Sequence, residues 1–292
     1  MTESLDRLDS SLAQARHWVS IGRPEKALEA LAVAGPAAAD EPAVFHLQAL
    51  AHLQREDLRA AGASATKGLA LDPQSPALLE ILGIVQWKQD DRPAAERFFL
   101  AGLSQAPDDP HLLARYGLLV GEAGQLDKAR RLADRAAAVA PQDALVGKVR
   151  SLIAYMAGDD KAAKEIGAGA LAGAPEDAGL HALMGSYLLQ GGDFERATKH
   201  HLTTASINPE HEDARALGRQ AKLIRHPLMR PLWLAEKFGP GKIWIAFLVL
   251  VFGLRGAGLE EAAGITGLVY LAFVMYSWVV PPILRRRLKV RS

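Results

Sequence analysis

The chain contains no cysteine, and aromatic residues make up only 6% of its 292 residues. The absence of cysteine excludes disulfides, thiolate metal sites and a cysteine nucleophile, and it is compatible with a reducing cytoplasm. An excess of one charge is lacking too, because 34 Lys and Arg face 33 Asp and Glu, for a formal net charge of +1. No global positive field is therefore available to hold nucleic acid, and nucleic acid is not an expected partner.

Motifs for catalysis, cofactors or metals are also missing. The first ten residues, MTESLDRLDS, have neither a basic start nor an apolar segment, so no secretory signal is expected there. The glycine-rich string from Gly167 to Pro175 has no preceding strand and no Lys-Ser/Thr, which argues against a phosphate loop. His200, His201 and His211 are a candidate metal site, but solvated polar residues are the favoured interpretation because no HxxxH frame is present. We expect no enzyme, no cofactor and no small-molecule substrate.

What the sequence does contain is a repeat of 34 residues. Alanine recurs at this spacing without a slip, at Ala27, Ala61, Ala95, Ala129, Ala163 and Ala197. Proline follows twelve residues later in five units, at Pro73, Pro107, Pro141, Pro175 and Pro209. Proline disfavours helix in the residue before it, so each proline is expected to end the second helix of a hairpin. A fixed period of this length predicts stacked helical units.

Two further columns of the repeat hold only small residues. One contains Ala15, Ala49, Gly83, Gly117, Ser151 and Gly185. The other contains Ala34, Gly68, Gly102, Ala136, Ala170 and Thr204. A larger side chain would push apart two helix axes that cross there, so these columns predict the helix crossings of each hairpin.

This pattern resembles the tetratricopeptide repeat, a 34-residue helix–turn–helix unit. The signature residues are found twice in good copies: Leu82-Gly83, Ala95, Phe99 and Pro107, then Tyr116-Gly117, Gly124, Ala129 and Pro141. The resemblance implies an all-α fold, an α-solenoid of six helical hairpins at residues 8–41, 42–75, 76–109, 110–143, 144–177 and 178–211. A capping helix at 212–225 would complete a solenoid domain of residues 1–225. The first unit has Ala39 where later units have proline, as a terminal repeat can.

Hydrophobic segments near the C-terminal end predict a transmembrane helical hairpin at about 243–259 and 262–284. The second segment has no charge and is roughly 34 Å long as a helix, which suffices for a hydrocarbon core of about 30 Å. The first has a charge-free core of only about 18 Å, so a re-entrant segment is an alternative, as is a buried hairpin in a soluble core. Basic residues flank both ends, in the linker 226–242 and in the tail 285–292, which predicts a cytoplasmic solenoid and C-terminus.

Two surfaces are candidate binding sites. The resemblance implies that the first helices of the units line a partner-binding groove, formed by Leu50, Leu53, Ile84, Trp87, Lys88, Arg115, Leu118, Lys148, Leu152, Tyr155 and Met156. For Leu47, Ile81, Val149 and Leu183, which share the repeat column of Arg115, burial between helices is an equal alternative to the groove. A membrane-surface site is predicted at Arg215, Arg219, Lys222 and Trp233, with a solvated outer helix face as the alternative for the three cations.

Protein or peptide partners and the lipid bilayer are therefore the expected partners. The leading hypothesis is a membrane-anchored scaffold or adaptor. An assembly factor or accessory subunit of a membrane complex is the second. A membrane enzyme or transporter component ranks last, because residues 262–284 contain no Asp, Glu, His, Lys or Arg.

Overall fold

The computed structural model describes residues 2–207, 212–232 and 239–287, and all regular structure in these residues is helical. The chain divides into two compact units, Met1–Gly173 and Ala174–Ser292. The all-α fold and the repeated helical arrangement predicted from the sequence are confirmed.

The first unit contains five helical hairpins, each made from two consecutive helices that pack on one another. Its helices are α1 Thr2–Ser20, α2 Pro24–Ala32, α3 Pro42–Gln54, α4 Leu58–Leu71, α5 Pro76–Lys88, α6 Arg92–Gln105, α7 Pro110–Glu122, α8 Leu126–Val139, α9 Ala144–Met156 and α10 Asp160–Gly173, with a 3₁₀ helix η1 at Gly35–Asp40. Proline stands two residues after α4, α6, α8 and α10, as predicted.

The second unit begins with the sixth hairpin and ends with the apolar helices. It contains α11 Ala178–Gln190, α12 Phe194–Ile207, α13 Glu212–Arg225, a 3₁₀ helix η2 at Pro227–Met229, α14 Pro240–Gly256 and α15 Glu260–Arg287. Helix α12 packs between α11 and α13, and α14 packs on α15, where the rings of Phe247 and Tyr270 stack with centroids 4.1 Å apart.

Aspartates at the 34-residue period stand at the N-termini of seven of the nine helices from α4 to α12. A side-chain oxygen of each accepts a hydrogen bond of 2.7–3.1 Å from a backbone N–H in the first turn. The capping residues are Asp57, Asp91, Asp109, Asp143, Asp159, Asp177 and Asp193. Such caps satisfy N–H groups that have no partner inside the helix and are each worth about 1 kcal/mol. Sequence reasoning missed them, although their spacing was the available signal.

The alanine column forms the centre of the hairpins. All six alanines are 0% exposed, and each lies on the second helix of its unit. The facing small-residue column on the first helices is buried as well, and at Gly83 an added Cβ would lie 2.5 Å from the Phe99 ring. The prediction of close helix crossings is therefore confirmed for the small-residue column on the first helices. In the second predicted column, a Cβ added at Gly102 would lie 2.9 Å from Leu112 of the next hairpin, so that position marks a crossing between hairpins.

One helix in the described residues, α15, is long and apolar enough to cross a membrane. It contains the whole second predicted segment, 262–284. The first predicted segment corresponds to α14, which ends at Gly256 and measures about 25 Å over its 17 residues. The predicted linker and tail are described only in part, because residues 233–238 and 288–292 lie outside the described residues.

Candidate partner-binding face

Within Met1–Gly173, the first helices of successive hairpins lie side by side. Helix α1 contacts α3, α3 contacts α5, and α7 contacts α9. Between α5 and α7, two side-chain links join residues 35 positions apart: Arg115 Nε donates to Glu80 Oε1 at 2.5 Å, and Trp87 Nε1 donates to Glu122 Oε2 at 3.1 Å. We call the outward side of α3, α5, α7 and α9 the first-helix face.

A short polar row crosses this face. The Arg115–Glu80 ion pair is partly sheltered, with side chains 29% and 17% exposed. The pKa of neighbouring His46 is lowered, chiefly because burial penalises its charged form, while Glu80 acts to raise it and Arg16 to lower it. His46 is therefore neutral near pH 7, and the row presents one internally paired charge couple rather than a strong field.

Most of the predicted groove residues do reach the surface of the first-helix face. The partly exposed ones are Leu50, Leu53, Trp87, Arg115, Leu118, Lys148, Leu152, Tyr155 and Met156, and Lys88 is exposed. These side chains combine apolar surface with two lysines that have no ion pair among the described residues. Such a surface can bind a polypeptide through apolar contacts, and its lysines can position acidic groups of that polypeptide.

Two predicted groove residues need a structural correction. Ile84 is only 8% exposed and packs in a core cluster with Leu113 and Tyr116 of the next unit, so it offers no surface to a ligand. Trp87 is partly exposed, but its ring meets Phe99 edge-on with centroids 6.4 Å apart, and its indole N–H already bonds Glu122. The Trp87 side chain therefore lies partly in the core and partly at the surface.

The alternative of core burial is confirmed for three of the four neighbouring positions. Leu47, Ile81 and Val149 are at most 4% exposed, whereas Leu183 in the second unit is partly exposed. Arg115 stands in the same repeat column as these three. Its guanidinium reaches the surface and pairs with Glu80, a contact that the 35-residue separation between opposite charges could have revealed.

The histidines of the second unit differ from the expectation of solvated residues. His201 is 1% exposed, so that prediction is wrong for it. His200 is half-buried, and its Nδ1 lies 2.9 Å from Nδ1 of His181. Burial lowers the pKa of His200, and His181 and Lys199 lower it further. His211 lies outside the described residues, and within them no group of three or more His, Asp or Glu side chains is placed to hold a metal.

The predicted membrane-surface residues lie mostly on α13. Arg215 and Lys222 are exposed. Arg219 is partly exposed, with a buried Nε that has no hydrogen-bond partner in the described part of the chain. Trp233 lies outside the described residues.

Comparison with known proteins gives similarity in structure only. No protein-family profile and no curated protein sequence matches the chain. Among solved structures, the APC/C hetero-tetramer Cut9–Hcn1 is 16% identical with a TM-score of 0.56, covering 75% of this chain and 45% of that one. PilW, a type IV pilus biogenesis factor, is 14% identical with a TM-score of 0.52, covering 72% of this chain and 97% of that one.

A tetratricopeptide repeat protein from Parabacteroides merdae is 17% identical with a TM-score of 0.39, covering 74% of this chain and 99% of that one. The structural neighbours are tetratricopeptide-repeat proteins. The unbroken 34-residue period, the packed helical hairpins and the likeness to Cut9 and PilW together show that this chain has the fold of the tetratricopeptide-repeat family.

Proposed function

We propose that this protein is a non-enzymatic, membrane-anchored adaptor that binds partner polypeptides on the first-helix face. The observation that carries the proposal is the row of partly exposed apolar side chains on that face, beside Lys88 and Lys148. Soluble surfaces seldom expose apolar side chains in a continuous row unless a partner covers them. Within Met1–Gly173 the repeated scaffold supplies a rigid support for such a row, because neighbouring hairpins there pack on one another.

The anchor is α15. Seven large apolar side chains between Ile265 and Val279 are 49–78% exposed: Ile265, Leu268, Val269, Leu271, Met275, Trp278 and Val279. Exposure of this much apolar surface to water would be unfavourable by about 25 cal/mol per Å². Acidic residues stand only in its first turn and basic residues only in its last turn, so a bilayer can cover the stretch between them.

The membrane level is indicated by aromatic residues on α15. Tyr276 donates a hydrogen bond from its hydroxyl to the carbonyl of Leu228 in η2, and Trp278 is exposed one half-turn further on. Tyr and Trp favour the headgroup region, because one end of each ring is apolar and the other polar. We place the cytoplasmic headgroup region from there to the arginines that end α15, so that the hydrocarbon core covers α15 up to about Tyr276 and α14 enters the bilayer from the same side.

The orientation follows from the positive charges. Arg285, Arg286 and Arg287 end α15, and Lys242 stands in the first turn of α14. Positive residues are retained on the cytoplasmic side, which gives a multi-pass arrangement with the repeats and the C-terminus in the cytoplasm. In a bacterium, the membrane would be the inner membrane.

Membrane extraction tests the anchor. The full-length protein is expected to stay in the membrane pellet in high salt and in alkaline carbonate, and to leave it only with detergent, because apolar burial rather than charge retains it. Fractionation followed by immunoblotting measures this. A matched variant with Leu268→Lys and Leu271→Lys should fail to insert, since each charge opposes insertion by about 2.5–3.5 kcal/mol. Release of the unmodified protein by salt alone would exclude the anchor.

Partner binding can be tested on α9, where Leu152 and Tyr155 are partly exposed one turn apart. The variant Leu152→Ala/Tyr155→Ala is expected to lower partner capture about tenfold or more, because truncating an aromatic anchor at an interface often costs over 2 kcal/mol. Helicity should be unchanged. Quantitative mass spectrometry of proteins co-purified from detergent-solubilised membranes supplies the measurement.

The matched control truncates two exposed apolar side chains on the second helices. Leu100 and Val139 are 46% and 50% exposed, so Leu100→Ala/Val139→Ala should keep every partner that the unmodified protein captures. Equal losses in both variants would show that capture is non-specific. Full capture by the α9 variant, with normal helicity, would mean that partners bind outside the first-helix face.

A further inference from the structure

A broad groove lies in the second unit, away from the first-helix face. Its lining comes from one side of α12 and from residues at and beyond the end of α13, namely Asp193, Phe194, Glu195, Arg196, Thr198, Lys199, Leu202, Thr203, Ser206, Ile224 and Arg230. The groove is open to solvent and has a volume of about 1210 Å³. That volume exceeds the usual range of about 300–1,000 Å³ for small-ligand sites, so an inorganic ion alone would leave it mostly empty.

The groove combines unpaired cations with an unused hydroxyl. Lys199 and Arg230 are exposed and have no ion pair among the described residues, whereas Arg196 pairs with Asp193 at 3.5 Å. The hydroxyl of Thr198 is buried, with the residue 3% exposed, and has no hydrogen-bond partner in the described structure. A buried hydroxyl without a partner is unfavourable by about 1–3 kcal/mol, so a ligand that accepts a hydrogen bond from it would be stabilised there.

The remaining lining selects among anions. Phe194, Leu202 and Ile224 supply an apolar wall beside the cations. The hydroxyls of Thr203 and Ser206 already donate to backbone carbonyls of α12, so they add no donor. The negative charge of Glu195 offsets one of the positive charges in the lining and would disfavour a ligand with several negative charges. The chemistry therefore fits an amphipathic monoanion, which carries one phosphate charge next to apolar groups.

The location of the groove indicates which amphipathic anion it can bind. Arg230 directly follows η2, and the carbonyl of Leu228 in η2 accepts the hydrogen bond from Tyr276 of α15. In the proposed membrane arrangement Tyr276 marks the headgroup level, so Arg230 lies beside the phosphates of the cytoplasmic leaflet. We propose that this groove binds the headgroup of an anionic phospholipid through Lys199, Arg230 and the Thr198 hydroxyl. The inference rests on the proposed membrane anchor.

The test uses the full-length protein in neutral detergent and a short-chain phosphatidylglycerol as the probe. Native mass spectrometry measures the bound lipid. The variant Lys199→Gln/Arg230→Gln is expected to raise the Kd at least about tenfold, because each cation near an anionic headgroup contributes measurably to binding. Thr198→Val should also weaken binding, while leaving the unfolding temperature unchanged or higher, since it removes a hydroxyl that has no partner without the lipid.

The control variant Arg59→Gln/Lys67→Gln removes two exposed cations from α4, which belongs to neither predicted binding surface, and should change the Kd less than about twofold. Equal weakening in both double variants would overturn the proposal in favour of diffuse charge attraction. Equal binding of phosphatidylcholine would overturn it as well, and displacement by inorganic phosphate at matched concentration would identify a free-phosphate site instead. Because the lipid is supplied in detergent, a protein that carbonate extracts from membranes can still bind it, which separates failure of the anchor from failure of this site.

Discussion

Replacing Phe99 by alanine is expected to lower the free energy of unfolding of residues 1–225 by about 3–5 kcal/mol. Phe99 is 0% exposed and belongs to the core cluster that joins the third and fourth hairpins. Truncating a buried phenyl ring loses its apolar transfer energy and leaves a cavity that the close-packed helices cannot fill. Urea denaturation followed by far-UV circular dichroism supplies the measurement.

The cavity left by Phe99 has a defined neighbour, which makes the prediction sharper. A Cβ added at Gly83 would lie 2.5 Å from Cε1 and 2.6 Å from Cδ1 of the Phe99 ring. Gly83→Ala alone is therefore expected to lower stability by about 1–3 kcal/mol, since the buried ring has no free space to move into. In the preceding unit the equivalent positions are Ala49 and Ala65, both 0% exposed.

The double variant Gly83→Ala/Phe99→Ala recreates that alanine pair. It should lose about 1–2 kcal/mol less than the sum of the two single variants, because the added methyl no longer meets a ring and partly fills the cavity. Trp87 reports on the same site through its edge contact with Phe99, so its fluorescence should change in Phe99→Ala. Strictly additive losses would show that the ring does not pack on Gly83. The matched outer control, Leu100→Ala, should stay within about 0.5 kcal/mol.

The Gly83–Phe99 pair also illustrates how much of the fold could be predicted. The period of 34 residues placed Gly83 in a column of small residues and thereby predicted a close helix crossing. The structure contains this crossing. The partner at the crossing could not be predicted from that column alone, because the facing column varies in size from Gly167 to Phe99. Volume is shared between two helices, so only the pair of columns determines the packing.

The first-helix face was predicted less completely for a similar reason. Ile84 stands in the same column as Leu50, Leu118 and Leu152, yet it alone of these four is buried. A repeat column sets the direction of a side chain, whereas its exposure depends on the residues that the next unit places against it. For Ile84 these include Leu113 and Tyr116. Trp87 likewise gained a hydrogen bond to Glu122 that no local pattern indicates.

In the sixth hairpin, a histidine occupies the repeat position of Phe99. His201 lies three repeats after Phe99. A Cβ added at Gly185 would be 2.6 Å from Cε1 of His201, as one added at Gly83 would be 2.5 Å from Cε1 of Phe99. Both ring nitrogens of His201 are buried without a hydrogen-bond partner in the described structure. Burial lowers its pKa, and the neighbouring His200 lowers it further.

This arrangement makes the sixth hairpin sensitive to acid. In the folded state His201 is held neutral, whereas in the unfolded chain it binds a proton with an ordinary pKa near about 6.5. The unfolded state therefore binds more protons between the lowered folded pKa and about 6.5. Above that range the protonation of His201 does not lower the free energy of unfolding. As the pH falls through the unfolded pKa toward the folded pKa, the free energy of unfolding decreases.

The variant His201→Phe is expected to stabilise the sixth hairpin by about 1–3 kcal/mol at pH 7, and by more at pH 5.5. The phenyl ring fills the same space, while the buried nitrogens and their proton are removed. Hydrogen exchange of the α11 and α12 amides in the full-length protein measures the local gain, because opening of one hairpin need not unfold the others. His17→Phe, at an exposed histidine of α1, is the matched control and should leave exchange in α11 and α12 unchanged at both pH values. Faster exchange in His201→Phe would mean that the ring nitrogens have polar partners, such as buried water, and that the site is not apolar.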